Sequence, residues 1–144
     1  MALASYEQDF YGWIQNQVAL LQNRCFEQVD LEHLIEELQI MGARERRELV
    51  NRLCVLLMHL LKWQYEPERR SKSWVNIIRE QRRMIPKHLK DNPSLKGVFP
   101  ALWSEAYDDA RKEAALETSL PLQIFPNECP WTFEQVMDNE FWAE

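Results

Sequence analysis

From Leu49 to Leu61 the chain is apolar at nearly every position, through Leu49, Val50, Leu53, Cys54, Val55, Leu56, Leu57, Met58, Leu60 and Leu61. A helix with apolar side chains on almost all sides must be covered on almost all sides, so this segment belongs at the centre of a bundle. It cannot serve as a membrane span, because its longest run, Val55 to Leu61, is interrupted by His59 and falls far short of the roughly 20 residues a bilayer requires. At 100° per residue, Arg52, His59 and Lys62 form the one polar stripe of this helix, expected over about Arg44 to Tyr65.

Other apolar positions also recur at helical steps. Phe10, Ile14, Val18, Leu21 and Cys25 predict a first amphipathic helix from Tyr6 to about Asn23, its apolar face broadened by Tyr11 and Trp13. Asp30 is placed to cap a second, with Leu31, Leu34, Ile35, Leu38 and Met41 as the stripe expected to face the core. Gly42 either ends that helix or marks a bend in it. After a loop over Glu66 to Ser73, Ser71 or Ser73 caps a helix carrying Trp74, Ile77, Ile78 and Ile85 inward, which Pro86 should kink or end. Asn92-Pro93 introduces a short helical piece. Pro100 opens a further helix with Leu102, Trp103, Ala106, Tyr107 and Ala110 inward, ending near Ser119.

Beyond Leu120 the pattern changes. Pro121, Pro126 and Pro130 disfavour helix, and Leu122, Ile124 and Phe125 suggest an extended strap on the bundle. Thr132 with Gln135 has the capping-box spacing for a last short helix, anchored by Phe141 and Trp142. The expected fold is all-α: an antiparallel bundle of four to five helices with a Pro-rich strap and a short terminal helix, in a single domain over residues 1–144.

With 46% hydrophobic residues and six Trp the chain is globular rather than disordered. Three Gly, at 12, 42 and 97, are too few for glycine-rich phosphate loops. Cys25, Cys54 and Cys129 have neither zinc-site spacing nor disulfide density, and the start of the chain, Met1 to Tyr11, lacks the basic segment of a signal peptide. These features predict a cytoplasmic protein without cofactor, metal site or membrane association.

Charge is segregated. Thirteen of the seventeen Lys and Arg fall between positions 44 and 90, giving that stretch formal +8, while residues 1–43 sum to -6 and residues 91–144 to -8. Arg44, Arg46, Arg47 and Arg52 follow an acidic helix and are expected to pair within the fold. Arg69, Arg70, Lys72, Arg79, Arg82 and Arg83 gather with Trp74 around one turn and form the expected partner-binding surface.

The run His59-Leu60-Leu61-Lys62-Trp63-Gln64-Tyr65, with Pro67, Arg69-Arg70, Ser73-Trp74 and Gln81-Arg82, resembles a bacterial family known as domain of unknown function twenty-nine. Asp9-Phe10-Tyr11-x-Trp13, Met41-Gly42, Pro93-Ser94-Leu95, Phe125-Pro126 and Cys129-Pro130-Trp131 extend the resemblance over about the whole chain. It implies a small helical protein, abundant in cyanobacteria, and supplies no activity or catalytic residues.

Three constellations invite chemistry. His33, Glu36 and Glu37 with His59 have the residue types of a helical-bundle metal site, but the helical wheel puts His33 and Glu36 opposite the apolar stripe and Glu37 at its edge. Arg52 and His59 are spaced two turns apart on one face, as in helical ribonucleases, where a cation and an imidazole flank a phosphate. Arg83 with His88 repeats the spacing across Pro86. The basic 69–83 surface with Trp63, Tyr65 and Trp74 has the composition of a nucleic-acid site, against which stands the acidic chain, pI about 5.2. Catalytic candidates are therefore His59 with Arg52 or Glu37. The favoured expectation is non-catalytic: association with a protein partner or a second copy.

Overall fold

A computed structural model describes residues 3–144; Met1 and Ala2, where the segment read for a leader begins, lie outside the described residues. Among the described residues the chain is all-α and without strands: α1 (Phe10–Gln22), α2 (Leu31–Tyr65), α3 (Lys72–Asp91), α4 (Phe99–Thr118) and α5 (Phe133–Met137), joined by short 3-10 turns. It divides into two compact units, one ending at Ala43 and one from Arg44 to Glu144, and α2 contributes to both.

Two expected helices prove to be one. Gly42 does not end the helix: α2 continues through it from Leu31 to Tyr65. An isolated glycine costs a helix only about 1 kcal/mol relative to alanine, and Met41, Ala43 and Arg44 around it are good helix formers. Pro86 likewise lies inside α3, which runs on to Asp91.

The second unit is an up-down-up arrangement built on the apolar half of α2. Leu49, Leu53, Leu56, Leu57, Leu60 and Leu61 are fully buried, against Ile78 and Ile85 of α3 and Ala106, Ala110 and Ala114 of α4. The alanines are the small partners of the crowded leucine face in this core. Polar contacts fix the directions. Glu48 and Arg52 of α2 meet His88 and Gln81 of α3, which is antiparallel pairing. Arg47 and Lys62 meet Glu105 and Glu117, so α4 runs parallel to α2.

Ser71 caps α3 by accepting from the Trp74 amide. α4 stops at Ser119, whose backbone is left-handed at φ 62°. The strap packs as expected at Phe125, 1% exposed, while Ile124 is 43% exposed. Tyr107 donates its hydroxyl to the Pro126 carbonyl at 2.6 Å, and Arg111 donates to the Phe125 carbonyl. Both halves of the Thr132–Gln135 capping box form, starting α5. The last residues are held by α3: buried Arg82 donates to the carbonyls of Val136 and Phe141, at 2.7 Å each, and lies over Trp142.

The first unit is organised differently. Asp9 caps α1 by accepting from Gly12, and α1 ends before Arg24, which is left-handed at φ 58°. Of its apolar side chains only Trp13 is buried, together with Gln17. The stripe of α2 expected to face a core does not: Leu31 is 64% exposed, Ile35 46%, Leu38 65% and Met41 57%. The side of α2 that faces α1 instead carries His33 and Glu37, which serve Tyr6 and Trp13.

Candidate functional site

The inward seam of the first unit is a polar and aromatic network. Trp13 Nε1 donates to Asp30 Oδ2 at 3.0 Å, and His33 Nδ1 meets the same oxygen at 2.7 Å. Asp30 also caps α2, its Oδ1 accepting from the His33 amide, and its own amide donates to Gln17 at 2.8 Å. Tyr6 stacks on the His33 ring with centroids 3.9 Å apart and donates its hydroxyl to Glu37.

Each of these groups is tuned by its neighbour. The Asp30 carboxylate holds the His33 imidazole above its ordinary range, chiefly through their hydrogen bond. The same bond holds Asp30 below the usual carboxylate range. Glu37, accepting from the phenol, pushes Tyr6 up to about 12. Polar groups thus occupy the inside of this hairpin together with Trp13, on which Phe10 of α1 also packs, and the apolar stripe of α2 is left outside. Of the fourteen large hydrophobic side chains exposed among the described residues, eleven lie in the first unit. On α1 these include Phe10, Val18 and Leu21, and on α2 Leu31, Ile35, Leu38 and Met41.

The sequence-derived catalytic pairs are not assembled. Glu37 and His59 lie on the same helix about six turns apart, Glu37 accepting from Tyr6 and His59 donating from Nδ1 to the Val55 carbonyl at 2.7 Å. His59 is buried and packs edge-on to Trp74. Burial, with Lys62 nearby, holds its imidazole below the ordinary range. Arg52, its other candidate partner, turns to α3, donating to Gln81 at 3.3 Å and lying 3.6 Å from Glu48. His88, the partner of Arg83 by spacing, is buried between Glu48 and the Glu45 carbonyl, each 2.8 Å away. Among the described residues no three His, Cys, Asp or Glu side chains converge on a point. Burial raises the Cys129 thiol to about 11, as it does Cys54.

The expected partner-binding set splits by environment. Arg82 is buried and ties down the tail. Arg70 donates to the Trp63 carbonyl at 2.8 Å and lies over that ring. Trp74 is half-buried beneath Lys62, whose ammonium sits 4.7 Å from the ring and pairs with Glu117. Arg69, Lys72, Arg79 and Arg83 are exposed, Arg69 within 3.4 Å of Glu66. Of the arginines expected to pair within the fold, Arg47 meets Glu105 and Arg52 meets Glu48. Arg44, Arg47 and Arg52 also line an open groove of about 430 Å³ with Glu48 and Gln81.

The open α2 stripe and the seam behind it are not apparent from apolar periodicity, which only marks the stripe. The available signal was Gln17 on the same side of α1 as Trp13, beside a cap residue followed at three positions by histidine. No helix among the described residues is long and apolar enough to cross a membrane. No curated protein and no solved structure matches the chain. The model of the family described as Domain of unknown function DUF29 matches residues 5–142, nearly the whole chain, which therefore belongs to that family.

Proposed function

We propose that this protein is a non-catalytic, cytoplasmic association module whose contact surface with a protein partner is the outer face of the α1–α2 hairpin. One observation carries the reading: among the described residues, eleven of fourteen exposed large hydrophobics are concentrated in the small first unit. Isolated exposed leucines are ordinary on protein surfaces, whereas a concentration of this size marks an interaction site. The absence of an assembled catalytic pair is compatible with it. The test is co-purification from the source cell of native chain and of a Leu31→Ser, Leu38→Ser variant. The reading expects a partner retained by the native chain and lost by the variant, both folded; equal retention contradicts it.

A second reading places an anionic contact on α3. Lys72, Arg79 and Arg83 are exposed and make no ion pair among the described residues, and with Arg69 they supply phosphate-seeking charge. Reversal of Arg79 and Arg83 to Glu should abolish retention of labelled nucleic acid at low salt, where such affinity is strongest. No retention by the native chain ends this reading.

A further inference from the structure

We infer that the occupant of the hairpin face is a cationic amphipathic helix of a protein partner, an inference that rests on the association reading above. Spacing sets the scale. Leu31, Ile35, Leu38 and Met41 of α2, 46–65% exposed, recur at steps of four, three and three, so they form an apolar stripe about 15 Å long. Anchors at such steps are the pattern by which helices pair in helix-in-groove recognition.

Charge selects the occupant. Residues 1–43 carry formal -6, and Arg24 is their one Lys or Arg. On α2, Leu31, Ile35 and Leu38 fall within one narrow sector of the helix, and Glu32 and Glu36 follow along one side of it. Both glutamates are exposed, and neither makes an ion pair among the described residues. Two such faces brought together would set acid against acid, which disfavours a second copy. An anionic membrane surface would be repelled for the same reason. A helix with an apolar stripe between Lys or Arg flanks satisfies both the leucines and the glutamates, as in helix-in-groove recognition.

The test uses the full chain and two fluorescent peptides of about eighteen residues, long enough for roughly five helical turns. Both carry leucines at positions i, i+3, i+4 and i+7; one has Lys elsewhere, the other Glu. The inference expects the Leu/Lys peptide to bind roughly tenfold or more tightly than the Leu/Glu peptide. Glu32→Lys with Glu36→Lys should remove that preference, while Glu134→Lys with Glu140→Lys, the same charge change elsewhere, should leave most of it. Leu31→Ser with Leu38→Ser should weaken Leu/Lys binding by a similar factor. Equal effects of the two charge reversals, or indifference to the leucine changes, would overturn it. If neither peptide binds and the chain instead dimerises through the leucines in sedimentation, this inference falls while the association reading stands. Cosedimentation with phosphatidylcholine vesicles instead of peptide binding overturns both.

Discussion

Glu37 and Leu38 are adjacent on α2 and point to opposite fates: Glu37 accepts a hydrogen bond from Tyr6 inside the first unit, while Leu38 is 65% exposed. The hairpin thus turns a half-buried polar seam inward and leaves the apolar stripe of α2 open. If that stripe does no work within the folded chain, removing it should leave stability unchanged. Leu31→Ser with Leu38→Ser is expected to alter unfolding free energy by no more than about 0.5 kcal/mol per site, and to reduce binding of a hydrophobic dye. Leu53→Ala, at a fully buried position, should cost about 2–5 kcal/mol. Denaturant titrations of the two variants check the contrast.

Arg82 holds the end of the chain to α3. Arg82→Ala leaves the carbonyls of Val136 and Phe141 without their donor and uncovers Trp142, so a loss of about 3 kcal/mol is expected, at the upper end for hydrogen bonds to a charged group. Amide exchange should accelerate over 132–142 in this variant. Unchanged protection there would mean that the tail is held by its aromatic contacts alone.

The Asp30–His33 pair gives the first unit a pH dependence of known sign. His33 is raised above the ordinary imidazole value of 6.5, so its part of the stabilisation is complete below that value and is lost as pH rises through the raised value in the fold. Asp30 is lowered from 3.8; its part is present above that value and is lost as pH falls through the lowered one. NMR titration should find the His33 imidazole above 6.5, and Asp30→Asn should bring it down. A native His33 at or below 6.5 contradicts the geometry.

Gly42 is helical, and an added Cβ there meets nothing within 4 Å. Gly42→Ala is therefore expected to stabilise α2 by about 0.5–1 kcal/mol, by reducing the freedom of the unfolded backbone. Slower amide exchange around position 42 is the readout. Faster exchange would show that the glycine is needed for something other than its helical conformation.

The second unit was legible because its signals agree with one another. The all-round apolar run from Leu49 to Leu61 could only be central, and Ser71, Asn92-Pro93 and the Thr132–Gln135 box announced their turns in local chemistry. The continuity of α2 was obscured because glycine weakens a helix without forbidding it. The orientation of the first unit was illegible for a more general reason. Periodicity finds an apolar stripe but does not say what covers it, and here Asp30, His33 and Tyr6 satisfy one another on the opposite side of the helices. The same limit applies to the basic cluster, where spacing could not distinguish Arg82, buried under the tail, from exposed Arg83 one residue later.

The central claim is that the α1–α2 face, rather than exposure in general, is where a partner sits. Leu38 at 65% and Leu116 at 75% are comparably exposed leucines, one in each unit. A photo-crosslinking residue placed at each position in turn, in the source cell, compares them directly. Discrete protein adducts from position 38 and none from position 116 are predicted; adducts from both alike, or from position 116 alone, would contradict the account.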